Sequence, residues 1–95
     1  MDKLFDSVFL DETFEFISNL ERKHYEKILF NIWKAQIIQD PLLFKKLNDE
    51  IWKFKTFYQR THYRLFAFWD KTDAENKLVV STHGIIKKSK KTPEF

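Results

Sequence analysis

The sequence predicts an α+β domain in which an N-terminal strand and two helices precede an antiparallel strand meander, with the helices packed on one face of the sheet. Residues 51–69 are rich in aromatic side chains and alternate bulky and polar residues with period two, which is typical of two strands. Residues 25–36 instead repeat apolar side chains at helical spacing. The 95 residues contain no internal repeat or linker, so we expect a single domain over residues 1–95.

The composition indicates the cellular compartment of the protein. The chain has no cysteine, which excludes a disulfide framework. It also has no signal-peptide pattern and no apolar run of membrane-spanning length. We therefore expect a cytoplasmic protein that has no membrane partner.

Charge is divided unequally along the chain. Residues 1–50 hold seven Lys/Arg against ten Asp/Glu, a net charge of −3, whereas residues 51–95 hold ten against four, a net charge of +6. Such asymmetry indicates a polyanion bound by the second half, and nucleic acid is the commonest polyanion. Lysines that merely keep the surface soluble are the alternative.

The first half begins with a short strand predicted over residues 4–10. Asp11 is a candidate N-cap for a helix that runs through Leu20. Glu12 and Glu15 are expected in its first turn, where the helix dipole favours negative charge.

A second helix follows a break at residues 18–21. It should end near Asp40, because Pro41 disfavours helical geometry in the residue before it. Residues 42–47 are then expected to form a connector with at most one helical turn. The apolar stripe of the helix comprises Tyr25, Ile28, Leu29, Ile32, Trp33 and Gln36.

Residues 51–69 are predicted to form a β-hairpin closed by a two-residue loop at Gln59 and Arg60. One face of the hairpin would be apolar and the other cationic, and like charges directly opposite one another destabilise a sheet. Cations kept there indicate an anionic ligand. The loop sets three cross-strand pairs: Lys53 with Phe66, Phe54 with Leu65, and Lys55 with Arg64.

The C-terminal part contains a polar loop at residues 71–77 and a further strand predicted over residues 78–83. Gly84 is the only glycine, and we expect it where the backbone needs positive φ or a close approach. Four lysines follow within five residues, namely Lys87, Lys88, Lys90 and Lys91.

Three segments carry a resemblance to a known family: Ile51-Trp52-Lys53-Phe54-Lys55, Tyr63-Arg64-Leu65-Phe66, and His83-Gly84-Ile85-Ile86-Lys87-Lys88-Ser89-Lys90-Lys91-Thr92-Pro93. In this order they resemble the RelE/ParE superfamily of bacterial toxins, and specifically its phage-derived HigB-like branch. The resemblance implies a RelE-like fold. HigB-like chains usually continue into a C-terminal helix, and we expect that helix to be absent here because the sequence ends at Phe95.

The resemblance also implies a function. Such a chain would be the toxin of a type II toxin–antitoxin system, a ribosome-dependent endoribonuclease that cleaves mRNA and so inhibits translation. Its partners would be the ribosome, mRNA and a cognate helix-turn-helix antitoxin, the last in a toxin–antitoxin hetero-oligomer. Members work without metal or another cofactor, because the ribose 2′-hydroxyl attacks the adjacent phosphate and leaves a cyclic 2′,3′-phosphate and a 5′-hydroxyl.

The candidate catalytic residues are Lys53, Lys55, Arg64 and His83. The planar fork of arginine can bind a phosphate bidentately, and lysines can neutralise it or, at a lowered pKa, act as a general base. An imidazole suits acid–base chemistry near neutral pH. The alternatives are an arginine paired with an acid, solvated lysines, and a histidine that satisfies a backbone group. We expect Lys87, Lys88, Lys90 and Lys91 to bind the backbone of the RNA or the ribosome.

The remaining candidates have weaker signals. His24 and His62 are expected to be structural or exposed, and the three histidines are too scattered for a zinc motif. Core packing is expected for at least two of Tyr58, Tyr63 and Trp69, with base stacking as the alternative. Two other functions stay open: a ParE-like gyrase inhibitor and a non-catalytic RNA- or ribosome-binding module.

Overall fold

A mixed sheet of five strands organises the part of the chain that the computed structural model describes, which is residues 2–72 and 77–87. The elements in chain order are β1 (Asp6–Phe9), α1 (Asp11–Ser18), α2 (Arg22–Ile37), β2 (Phe44–Lys46), β3 (Trp52–Tyr58), β4 (Thr61–Asp70) and β5 (Leu78–Lys87). The predicted α+β class is confirmed.

The strands lie in the order β1-β5-β4-β3-β2. β3, β4 and β5 form the predicted antiparallel meander, and β2 adds to β3 in antiparallel fashion. β1 pairs in parallel with β5, with Ser7 opposite Val79. The first and last strands of the described chain are therefore neighbours, and the helices between β1 and β2 carry the chain across one face of the sheet.

The first helix begins at Asp11, one residue earlier than an Asp11 cap requires, so the capping prediction is wrong. Leu10 occupies the N-cap position in an extended conformation and makes no side-chain capping bond. Its N–H donates to the carbonyl of Ser81 at 2.9 Å, which continues the pairing of β1 with β5. This bond holds Leu10 extended and places Asp11 and Glu12 inside the first turn.

The second helix confirms the predicted element but ends at Ile37 rather than near Asp40. Ile38 already has extended backbone angles, φ −117° and ψ 131°. The buried side of α2 is also rotated relative to the predicted stripe, because Trp33 is 54% exposed. Its buried residues are His24, Ile28, Asn31, Ile32 and Ala35.

Polar partners explain this rotation. Asn31 donates through Nδ2 to Oγ1 of Thr56 at 3.1 Å, and His24 Nδ1 lies 2.6 Å from the hydroxyl of Tyr63. A buried polar side chain is tolerated when its hydrogen bonds are made. The apolar periodicity of the sequence gives no sign of these bonds.

The prediction of a connector at residues 42–47 is wrong, because part of this segment forms β2. The ring of Phe44 stacks on Phe54 with centroids 4.4 Å apart and on Trp52 at 4.8 Å. These contacts come from residues distant in sequence, and a strand of three residues is too short to show a period.

The hairpin prediction is confirmed in full register. Lys53 lies opposite Phe66, Phe54 opposite Leu65, and Lys55 opposite Arg64. The loop residues Gln59 and Arg60 have φ of 49° and 63°, the left-handed geometry that a tight two-residue hairpin loop requires.

The core lies between the helices and one face of the sheet, around Ile17, Ile28, Phe54, Leu65 and Val79. Tyr63 is buried and Trp69 packs against this core, as predicted. Gly84 has no positive φ, but a Cβ there would lie 2.5 Å from Phe16 Cδ2, so the prediction of a close approach is confirmed. No helix within the described ranges is long and apolar enough to cross a bilayer.

Candidate functional site

The face of the sheet turned away from the helices, here called the open face, carries the candidate catalytic residues. Alternation along β3 and β4 sends Phe54 and Leu65 into the core and turns the residues immediately before and after each of them to the opposite face. Cross-strand partners share a face, so pairing extends the open face from β2 to β5. Its residues include Lys45, Lys53, Lys55, Phe57, His62, Arg64, Phe66, His83 and Lys87.

Five of these residues form a cation cluster, defined as Lys45, Lys53, Lys55, Arg64 and Lys87. Lys45 lies opposite Lys53 across β2 and β3, and Lys55 lies opposite Arg64 across β3 and β4. Partial burial lowers the pKa of Lys53, and the positive charges of Arg64, Lys55, Lys45 and Lys87 lower it further. The structure thus brings together three of the four predicted catalytic residues.

The positive charge of this cluster is not neutralised within the described chain. The ion pairs found there join Lys3 to Asp6, Arg22 to Glu26 and His24 to Glu21, all outside the cluster. Among the described residues no acid lies within ion-pairing distance of Arg64, so none of them forms the predicted alternative of an arginine–acid pair. An anion that approaches the open face therefore meets positive charge that no acid of residues 2–72 and 77–87 pairs with.

His83 reaches the same face because β5 contains a bulge. Ala67 pairs with Ser81 but Phe66 pairs with His83, so Thr82 is an extra residue in the ladder. Without the bulge, alternation would turn both Ser81 and His83 to the core. The ring of His83 stacks on Phe66 at 5.0 Å, next to Lys53 in the same cross-strand row.

Hydrogen bonds to Thr82 orient the imidazole of His83. The hydroxyl of Thr82 lies 3.4 Å from the Phe66 carbonyl, which can only accept, and 3.0 Å from His83 Nδ1. A hydroxyl has one proton to donate, so donation to Phe66 leaves its oxygen to accept from Nδ1–H. With the ring proton on Nδ1, Nε2 is the proton-accepting nitrogen, whereas donation from the Thr82 hydroxyl to Nδ1 puts the ring proton on Nε2.

An apolar depression of about 440 Å³ adjoins His83 on the open face. Phe66, Phe68 and Ile51 form its apolar part, and Thr82 and His83 supply polar atoms. A site with flat apolar walls beside a cation cluster can accept a planar ring that carries a phosphate.

Comparison with known protein families identifies the family of this chain. Residues 15–95 match the family described as phage-derived protein Gp49-like (DUF891). The chain belongs to this Gp49-like family. The family is part of the RelE/HigB-like toxins, which confirms the resemblance at that level. No curated protein and no solved structure matches the chain.

In this Gp49-like chain the predicted lysine tail begins on the open face. Lys87 is the last residue of β5 and lies opposite His62. Lys88, Lys90 and Lys91 lie outside the described residues. Their assignment to the backbone of the RNA or the ribosome stays a prediction.

The other two histidines have structural contacts. His24 is buried, and its two ring nitrogens lie 2.6 Å from the Tyr63 hydroxyl and 2.9 Å from Gln59 Oε1. Its ring is also edge-on to Tyr58 at 4.9 Å. His62 stacks on Phe57 at 4.3 Å. Histidine and acidic side chains form no group of three or more suited to a metal ion within residues 2–72 and 77–87.

Two members of the site were not predicted from the sequence of this Gp49-like protein. Lys45 was missed because β2 was missed, and the three residues of that strand show no alternation that could have predicted it. Phe66 was placed opposite Lys53 but was not predicted to support His83, because that contact depends on the bulge at Thr82.

Proposed function

We propose that this Gp49-like protein is the toxin of a type II toxin–antitoxin system and cleaves translated mRNA on the ribosome without a metal ion. The observation that carries the proposal is the cation cluster on the open face, with no acidic partner among the described residues and with His83 on the same face. A phosphodiester is the anion that such a face and the basic tail fit best.

The proposed chemistry is an attack of the ribose 2′-oxygen on the neighbouring phosphorus. The P–O5′ bond breaks, the 2′-hydroxyl proton passes to a base, and the leaving 5′-oxygen takes up a proton. Arg64 and Lys55 would hold the non-bridging oxygens, where negative charge grows in the transition state. The product is a cyclic 2′,3′-phosphate and a free 5′-hydroxyl.

Two groups are suited to the proton transfers. His83 has an imidazole that contacts Thr82 through Nδ1 and can exchange a proton through Nε2, and Lys53 has a lowered pKa because it is partly buried among other cations. They lie on either side of Phe66 in one row of the sheet, so both can reach one phosphodiester. One would accept the 2′-hydroxyl proton and the other would protonate the leaving oxygen.

Ribosome dependence is proposed from the shape of the site. The open face is an exposed sheet surface whose adjoining depression is shallow, so it supplies charge but few groups that would fix a flexible mRNA for in-line attack. Such positioning lowers the barrier greatly in enzymes. The ribosome would provide it by holding the mRNA in the decoding site.

Primer extension on translated and untranslated copies of one message tests the proposal. We expect cuts in the translated copy only, their loss in Arg64→Ala, and their retention in Lys23→Ala, an exposed lysine on α2. Equal cutting of both copies would contradict ribosome dependence. If the message stays uncut and gyrase-linked DNA breaks appear, the protein is a ParE-like inhibitor. If the protein binds ribosomes and no message is cut, it is a non-catalytic module.

A helix-turn-helix antitoxin is the proposed protein partner. The helices expose large aromatic side chains, with Phe14 at 56%, Phe30 at 47% and Trp33 at 54%. Exposed aromatic residues mark protein interfaces. We expect the product of a neighbouring helix-turn-helix gene to raise the melting temperature by mass action, and an unchanged melt would count against this partner.

A further inference from the structure

A second cavity, here called the edge pocket, lies on the helix side of the sheet beyond the end of α2. It has a volume of about 360 Å³, its lining includes all three residues of the edge strand β2, and it shares no lining residue with the depression beside His83. Its walls are aromatic, and residues from the chain that follows α2, Ile38 to Pro41, complete the rim. The four wall residues are Phe5, Phe44, Trp52 and Trp69.

The aromatic walls hold one another in place. Trp52 stacks on Phe44 with ring centroids 4.8 Å apart and an angle of 23°, and Trp69 meets Trp52 edge-on at 5.8 Å. Phe5 packs on both Phe44 and Trp69, at 5.0 and 5.3 Å. A ligand therefore meets a preformed apolar surface, which lowers the entropy cost of binding. Flat aromatic groups fit such walls best.

The rim of the edge pocket is mainly cationic. Lys45, Lys46 and Lys77 line it, against the single carboxylate of Asp40. That carboxylate already accepts a hydrogen bond from the Leu42 N–H at 2.9 Å. An aromatic pocket alone would suit a cation, but three lysines favour an anion. The ligand is thus a flat ring that carries negative charge.

The edge pocket is continuous with the cation cluster through Lys45. This residue lines the pocket and lies opposite Lys53 on the neighbouring strand. β2 is the last strand of the described sheet, so only one strand separates Lys53 from the edge. A polyanion held along Lys53 and Lys45 reaches the pocket by turning over that edge.

We propose that the edge pocket binds an unpaired base of the single-stranded RNA whose backbone crosses the cation cluster, with Lys45 and Lys46 on the adjoining phosphate. The proposal rests on the proposed function in one respect, the identity of the polyanion as RNA. Aromatic stacking of a base with a lysine on its phosphate is a general means of holding single strands. The pocket would add a nucleotide contact away from the bond that is cut.

Tryptophan fluorescence tests this contact without ribosomes or cleavage. Trp52 and Trp69 lie in the pocket, and Trp33→Phe removes the emission of the tryptophan on α2. The probe is a 2′-O-methyl RNA hexanucleotide, which lacks the attacking hydroxyl. We expect quenching on binding, with affinity weakened on the order of tenfold by Lys46→Glu. Lys23→Glu, the same change on exposed α2 surface, should have a much smaller effect.

The outcomes separate this inference from the proposed function. Arg64→Ala, which should abolish cleavage, is expected to keep the quenching by adenosine monophosphate, so the pocket can be assayed even if the chain proves not to be a nuclease. Cleavage without quenching would overturn the pocket assignment alone. Three other outcomes would also overturn the pocket assignment. They are equal quenching in Lys46→Glu and wild type, tighter binding of the mononucleotide than of the hexanucleotide, and quenching by an acidic aromatic peptide but by no nucleotide.

Discussion

Lys55 lies directly opposite Arg64 across the β3–β4 hairpin, and no acidic side chain within the described residues forms an ion pair with either. Directly opposed like charges destabilise a sheet. Lys45 and Lys53 repeat the arrangement on the adjoining strands. The opposed cations of the open face therefore lower the stability of the sheet and concentrate positive charge on one surface.

Lys55→Gln should raise stability and lower activity together. Removal of one charge from the pair should increase the free energy of unfolding by a few tenths of a kcal/mol, and by more at low ionic strength. Loss of a phosphate contact should reduce cleavage on the order of 10²-fold. Urea denaturation at two salt concentrations and primer extension measure the two effects. Lys23→Gln is the matched control, and equal stabilisation by both changes would contradict the explanation.

Lys53 should give the stability of the protein a characteristic pH dependence. Partial burial and the charges of Arg64, Lys55, Lys45 and Lys87 lower its pKa in the folded state, so above that pKa the unfolded chain binds more protons. Stability then rises with pH until the ordinary lysine pKa is reached.

Urea denaturation of wild type and Lys53→Gln across pH measures this effect. The difference in free energy of unfolding should move in favour of wild type as the pH rises towards the ordinary lysine pKa of about 10.4. Lys23→Gln should show no such trend. A constant difference between wild type and Lys53→Gln would show that the folded and unfolded pKa values are equal.

The hairpin was predictable because its two determinants are local. Alternation assigns each side chain to a face, and a two-residue loop at Gln59 and Arg60 leaves only one register. The pairing of Lys55 with Arg64 follows from these two facts alone. The cationic face of β3 and β4 was thus readable from residues 51–69.

The rest of the site depends on contacts that no local pattern encodes. The side on which His83 lies is set by the bulge at Thr82, and the sequence of β5 alternates equally well without it. Lys45 joins the cation cluster only because Phe44 packs on Phe54 and Trp52. The buried face of α2 was predicted wrongly for the same reason, since Asn31 is buried with its side chain hydrogen-bonded to Thr56.

Tyr63→Phe should reduce stability without removing a catalytic group. The hydroxyl of Tyr63 lies 2.6 Å from Nδ1 of buried His24, so its loss leaves a buried polar atom unpaired, at a cost of about 1 to 3 kcal/mol. Urea denaturation measures the loss, and cleavage by the folded variant should stay near wild type. Tyr58→Phe is the control, because that ring also touches His24 but its hydroxyl bonds to no described residue. Lost cleavage in a stably folded Tyr63→Phe would instead place this hydroxyl in the reaction.

Gly84→Ala tests how closely α1 packs on the sheet. A Cβ at Gly84 would lie 2.5 Å from Phe16 Cδ2 and 2.6 Å from Leu65 Cδ2, too close for either ring or methyl group to stay in place. Overpacking of this kind costs about 1 to 3 kcal/mol. Phe16→Leu shortens one of the two obstacles, so the cost of Gly84→Ala should be smaller in that background. A double-mutant cycle by urea denaturation measures the coupling. Additive effects would show that α1 does not rest on Gly84.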